Sequence, residues 1–196
     1  MADRVEIDII ARTEKAVSGL KTLVKNLAAT YVSYQALKKI VTDSVKAYLQ
    51  AEEALALMNA ALRSTGGYSS AGSKSLQELA ARLQGVTKYG DETSMAVLGV
   101  MMSVGRMTSK MASEALPFVQ DFAAAMGIDL QSAGTLFAKA MAGSTGALSR
   151  YGIKVKEGLK GQELFAALTD QLRIKFGGMA QAIGDTASGS LTKLNN

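Results

Sequence analysis

The hydrophobic positions change period close to the start of the chain. Val5, Ile7 and Ile9 alternate with Glu6 and Asp8, a period of two that predicts a short strand or extended arm over residues 1–12. One strand is not stable alone, so such an arm needs a pairing partner. From Thr13, placed to cap a helix, the period lengthens. Val17, Leu20, Val24, Leu27, Tyr31 and Tyr34 recur at steps of three and four, and after Lys38 the series resumes with Val41, Val45 and Tyr48. Glu52 and Asn59 interrupt it again, with Leu55 and Leu62 on phase. This 3–4 alternation is the heptad of a coiled coil or a bundle seam. It predicts a long coiled-coil-like helix over 13–63 whose apolar positions from Val17 to Tyr48 form a candidate oligomer seam. A run of ~45 residues at ~1.5 Å each spans ~68 Å, more than a compact domain of this size needs. Leu23, Leu37 and Ile40 form a second stripe and a second neighbour. Oligomeric coiled coil and intramolecular bundle both remain open at this level.

Residues 64–196 read as a helical bundle domain, cut by glycine-rich turns. Gly66 and Gly67 suit a left-handed helix end. Ser75 and Glu78 have capping-box spacing for a helix running to about residue 84. Asp91 is placed to cap a helix carrying Met95, Leu98, Met101, Met102 and Met107, read as core filling rather than as an adaptable binding face. A helix over 109–127 contains Pro117, a source of a kink. Asp129 caps the next helix, and two more follow over 162–176 and 179–194. The fold class is therefore all-α: a long N-terminal helix plus a multi-helix bundle, with the N-terminal arm as its only extended element.

Composition sharpens this picture. Hydrophobic residues make up 48% and aromatics only 6%, so Ala, Leu and Met must do the packing. The chain contains neither Cys nor His, which excludes Cys- or His-based metal sites, disulfides, Cys nucleophiles and His triads. No cofactor is expected. The net charge of +5 is spread along the chain and forms no basic stripe interleaved with aromatics, so no sequence-specific nucleic-acid partner is expected. Gly67 and Gly72 before Ser73-Lys74-Ser75 miss the phosphate-loop spacing by one residue and follow a helix rather than a strand. The charged N-terminus lacks the apolar region of a secretory signal. The most apolar window, 95–105, is shorter than the ~20 residues a spanning helix needs. The chain is expected to be soluble when made.

The segment AGSTGALSRYGIKVKEG, residues 142–158, stands out from its helical surroundings. Gly146, Gly152 and Gly158 are placed to let the backbone turn, and Leu148, Tyr151 and Ile153 to pin that turn to the bundle. Lys154, Lys156 and Lys160 are the one local excess of charge and a candidate basic contact. The segment reads as a structural joint, built on Gly146, Leu148, Tyr151, Gly152 and Ile153. A contact site for another molecule is the sharper alternative.

Five turn motifs occur in a telling order. They are T-G-G at 65–67, L-x-x-x-T-x-x-G-D-E at 83–92, G-I-D-L-x-S-A at 127–133, A-L-x-R-x-G-I at 147–153 and F-G-G-x-A at 176–180. In this order they resemble the N-terminal region of bacteriophage tail tape measure proteins, also called tail length or minor tail proteins. The resemblance covers roughly residues 40–196. It implies a structural virion protein in the tail tube lumen, after assembly in the host cytoplasm. It also implies a homo-oligomer whose helical length sets tail length. Its partners would be the tail tube, the tail tip, an assembly chaperone and, at infection, the host envelope. The family's chains are usually many hundreds of residues long, whereas a fully helical rod of this length spans only ~290 Å. The sequence is thus expected to be a piece, truncated at its C-terminus.

Two other classes compete. Residues 91–107 could lie on lipid as an amphipathic helix, making the chain a membrane-active protein of envelope penetration. An enzyme such as a cell-wall hydrolase needs paired carboxylates. Glu52-Glu53 and Asp91-Glu92 are adjacent in sequence, and adjacent helical residues do not face each other. No enzymatic activity is expected.

Overall fold

The computed structural model describes residues 34–195, and these are all-helical with no strand among them. The expected arm over 1–12, the helical stretch 13–33 and the seam positions Val17, Leu20, Val24, Leu27 and Tyr31 lie outside the described residues. The chain divides into two units, Met1–Leu49 and Gln50–Asn196.

Helix α1 is Tyr34–Ser64. Within the first unit, Val41 is half-buried while Val45 and Tyr48 are 44% and 50% exposed. Within the second unit the helix buries Ala54, Met58, Ala61 and Leu62. Leu62 holds the expected phase and Leu55 is half-buried, but the deepest residue besides Leu62 is Met58, one position before the Asn59 interruption. Asn59 has its own use: Ser73 donates to its Oδ1 at 2.6 Å, and Gln77 donates on to Ser73 at 3.2 Å. The helix ends in a Schellman turn. Gly66 takes φ +71, Gly67 N–H donates to Leu62 and Gly66 N–H to Arg63.

Helix α2 is Ser70–Val86, so its cap at Ser69 lies six residues before the capping-box serine, Ser75. Ser69 caps it, accepting from Gly72 N–H at 2.9 Å. Ser75 and Glu78 therefore lie inside the helix, where Glu78 meets Lys74 at 3.9 Å on the exposed side. Helix α3 is Asp91–Ser103, and its N-cap is Gly90 rather than Asp91. Both Asp91 and Glu92 fall in the first turn, where negative charge favours the exposed N–H groups.

Helix α3 is the centre of the second unit. Ser94, Met95, Val97, Leu98, Gly99, Met101 and Met102 are buried, and no residue before Ser103 is exposed. Its half-buried residues Thr93, Ala96 and Val100 share one face with exposed Ser103, and the rest of its circumference is enclosed. Its neighbours include α2, α4 (Ser109–Met126) and α5 (Leu130–Met141). Glycines set the approach distances. A Cβ on Gly99 would lie 3.4 Å from the Met58 backbone of α1, and one on Gly134 of α5 would lie 2.6 Å from Cγ1 of Val97. Helix α4 runs unbroken through Pro117. At its end Gly127 takes φ +64, and Asp129 then caps α5, accepting from Ser132 N–H at 2.7 Å.

After a four-residue helix, α6 (Gly146–Ser149), comes α7 (Gly161–Phe176). The single helix expected over 179–194 is instead two, α8 (Met179–Gly184) and α9 (Ala187–Asn195). The break follows from Thr186, whose hydroxyl accepts from Gly189 N–H at 3.0 Å and so caps a new helix.

Two outcomes check this packing. Gly134→Ala should destabilise the protein by about 1–3 kcal/mol through overpacking against the rigid, β-branched Val97. Chemical denaturation of Gly134→Ala, Val97→Ala and the double variant should show a favourable coupling of at least about 0.5 kcal/mol, because the second change makes room for the first. Strict additivity would contradict the contact. Asp129→Ala should cost about 1 kcal/mol, the usual worth of an N-cap. Hydrogen bonds from Ser132 hold the Asp129 carboxyl below its ordinary 3.8. Its contribution is therefore complete above pH 3.8 and is lost as pH falls through the lower, folded-state value. The gap between wild type and Asp129→Ala in a pH series of melting curves should close on the acid side.

Candidate functional site

The segment singled out by the sequence is a built structure. Leu148 of α6 is fully buried. Its carbonyl accepts from Tyr151 N–H at 3.0 Å and Ile153 N–H at 3.2 Å, and Gly152 between them takes φ +77. This is another Schellman turn, with Ile153 buried beyond it. The Tyr151 ring stands edge-on to Phe122 of α4 at 5.2 Å, and Phe122 also touches Phe176 at 5.7 Å. The structure thus brings Leu148, Tyr151, Gly152 and Ile153 together as a joint between α6 and the α4–α7 layer. Gly146 differs: its φ is not positive and a Cβ there would meet nothing within 4 Å, so the turn does not depend on it.

Beyond the joint the chain alternates between core and water. Ile153 is buried and Val155 and Leu159 are half-buried, while Lys154, Lys156 and Lys160 are exposed. Arg150 is exposed beside them, and the Lys175 ammonium sits over Gly152, 3.9 Å from where a Cβ would be. Sequence spacing alone finds the three loop lysines but misses Lys175, which reaches the site from α7. Among the described residues none of these five cations forms an ion pair.

The second feature that local reading misses is Asp121. It lies in α4 with only 8% of its surface exposed. Its carboxylate accepts from Gly178 N–H at 3.0 Å and Ala180 N–H at 2.8 Å, joining α4 to the start of α8. The signal was present: a lone acid set among Leu116, Val119, Phe122 and Ala123, all buried, needs buried donors. Close by in the electrostatic sense is Tyr89, whose phenol is pushed up by burial and by the charges of Asp121 and Asp129. Among the described residues its buried hydroxyl has no hydrogen-bond partner.

The adjacent carboxylates have structural surroundings. Glu52 and Glu53 are exposed. Glu92 folds back over Gly90, filling the space of a Cβ there, and burial together with neighbouring Asp91 raises its titration above 4.5. Met95, Met101, Met102 and Met107 are all buried, so the methionines of 91–107 fill the core. Among the described residues no group of three or more acidic side chains could hold a metal ion, and no helix is long and apolar enough to cross a membrane. A shallow groove of about 550 Å³ lies between α4 and α7, lined by Phe118, Phe165, Thr169, Asp170 and Arg173 among others; its two charges pair with each other at 2.5 Å. Comparison of the chain with protein-family models, curated proteins and solved structures finds no match.

The joint predicts an asymmetry between its glycines. Gly152→Ala should lower stability by about 1–2 kcal/mol, because a Cβ is disfavoured in the left-handed region. Gly146→Ala, in a helical turn with open space, should be neutral or stabilising by up to about 1 kcal/mol. Thermal melts of both variants read this directly, and equal losses would contradict the assignment.

Proposed function

We propose that this chain is the N-terminal helical portion of a bacteriophage tail tape measure protein. In this reading it is a structural component of the tail tube lumen that helps set tail length and assists tail assembly and genome delivery. The observation that carries the reading is the order of the five turn motifs. All five fall at junctions of the bundle: T-G-G ends α1, the G-D-E motif turns α2 into α3, and G-I-D-L-x-S-A turns α4 into α5. A-L-x-R-x-G-I forms the joint, and F-G-G-x-A turns α7 into α8. A resemblance located in the joints is a resemblance in how helices are ordered and connected, which is what a structural protein made of helices has to preserve.

The finer parts of the reading concern the region before the bundle. A strand or arm over 1–12 and a coiled-coil-like helix over 13–63 would present Val17 to Tyr48 as the seam of a homo-oligomer. The exposure of Val45 and Tyr48 agrees with a face that waits for a partner. The tail tube, the tail tip and an assembly chaperone are the partners this role calls for, and contact with the host envelope belongs to genome delivery. The role asks for surfaces rather than for an active site.

The test is mass spectrometry on tail-like particles purified from a producing culture. Peptides of this sequence should co-purify with tails and belong to a longer parent polypeptide. Particles free of these peptides would overturn the proposal.

A further inference from the structure

Four cations of the bundle pair with an acid: Lys74 with Glu78, Lys110 with Glu114, Arg173 with Asp170 and Lys193 with Asp185. The cations around the joint do not. Arg150, Lys154, Lys156 and Lys160 follow one another through residues 150–160, where Glu157 is the one acid. Lys175 joins them from α7, its ammonium over Gly152. All five residues are exposed. Like charges gathered in this way repel one another until an anion arrives.

The backbone that carries them is anchored. Leu148 and Ile153 are buried, the Schellman turn closes between them, and Val155 and Leu159 pack against the core. Ile153 and Val155 point inward, so Lys154 and Lys156 share the outward side. A partner held by these charges therefore has little backbone to order on binding.

The surroundings of the charges narrow the partner. A protein interface centres on apolar and aromatic side chains, with charge at its rim. No large apolar side chain is exposed between residues 142 and 160, and exposed Ile174 lies about 100° round α7 from Lys175. Single-stranded nucleic acid is held by bases stacked on aromatics. The one aromatic of the segment, Tyr151, is half-buried with its ring against Phe122. Polybasic lipid contacts lie beside a spanning helix or along an amphipathic one. Four of these five cations lie instead on a turn and a non-helical stretch. Charge without an apolar or stacking surface fits a duplex, which carries one negative charge per ~1.7 Å of its axis.

We propose that the joint is a docking surface for the sugar–phosphate backbone of duplex nucleic acid. Arg150, Lys154, Lys156, Lys160 and Lys175 engage phosphates, and no side chain reads the bases. The surface stands independently of the tail reading.

Fluorescence anisotropy of the full chain with short labelled DNA duplexes of two unrelated sequences tests this. Both duplexes should bind alike. Between about 50 and 200 mM salt, the log–log slope of the binding constant should be roughly −3 to −4.5, the value for about three to five neutralised phosphates. The triple variant Lys154→Gln/Lys156→Gln/Lys160→Gln should keep the wild-type melting curve. Its slope should be shallower by roughly 2 to 3, and its binding at the lower salt weaker by at least about tenfold. Glu157→Gln, which takes an acid from among the cations, should tighten binding. Lys74→Gln/Arg82→Gln/Lys110→Gln removes the same charge from α2 and α4 and should keep the wild-type slope. The proposal is overturned if the duplexes do not bind, or if the two triple variants weaken binding equally. It is also overturned if a single strand of the same length, or vesicles of anionic phospholipid, bind more tightly than the duplex.

Discussion

A helix buried over most of its circumference must be enclosed before the rest of the bundle can be stable. Helix α3 is that helix: only the face carrying Thr93, Ala96, Val100 and Ser103 is partly open to water. Met58 and Leu62 of α1, Leu76 and Ala80 of α2, Leu116 and Val119 of α4, and Ala133 and Phe137 of α5 join it in one continuous core. Enclosure at this density requires backbones to come close, and two glycines permit it. Gly99 brings the α1 backbone to van der Waals contact, and Gly134 yields to the branched side chain of Val97. With aromatics at only 6% of the chain, Met58, Met101, Met102 and Met107 share the larger core volumes with Phe122 and Phe137, and the flexible methionine side chain fills irregular gaps between helices.

The turns follow from the same demand. Each helix must end where its neighbour needs to begin, so the same device recurs at Gly66, Gly127 and Gly152, a left-handed residue with backbone bonds closing the last turn. Phe122, next to the buried Asp121 in α4, touches both Tyr151 of the joint and Phe176. The far end of the chain is thus positioned by one stretch of α4. Beyond the joint the bundle exposes Lys154, Lys156 and Lys160.

Much of this was legible in the sequence. The all-helical class, the Gly66 and Gly127 ends, the Asp129 cap and the methionine core follow from local pattern, because each rests on residues close together in the chain. The misses share a physical cause. The capping box at Ser75 and Glu78 gave way to Ser69, since several serines compete within one turn and tertiary packing selects among them. Asp91 looked like a cap, but the helix is entered one residue earlier, with Gly90 at the N-cap and both acids inside the first turn. The last helix broke at Thr186, whose hydroxyl caps a new start, and Gly184 and Gly189 on either side pack closer than any Cβ would allow, which no periodicity displays. Asp121 and Lys175 act on residues more than twenty positions away, beyond the reach of any local reading. The Asn59 interruption of the heptad had a partner, Ser73, on the next helix.

The claim that α3 packs at the centre of the core is tested most directly by methionine-methyl NMR of the full chain through a denaturant titration. Met95, Met101 and Met102 should show dispersed shifts that persist until α4 and α5 unfold, while exposed Met126 and Met179 sit near the free value throughout. Collapse of the three α3 methyl signals while α4 and α5 remain folded would contradict it.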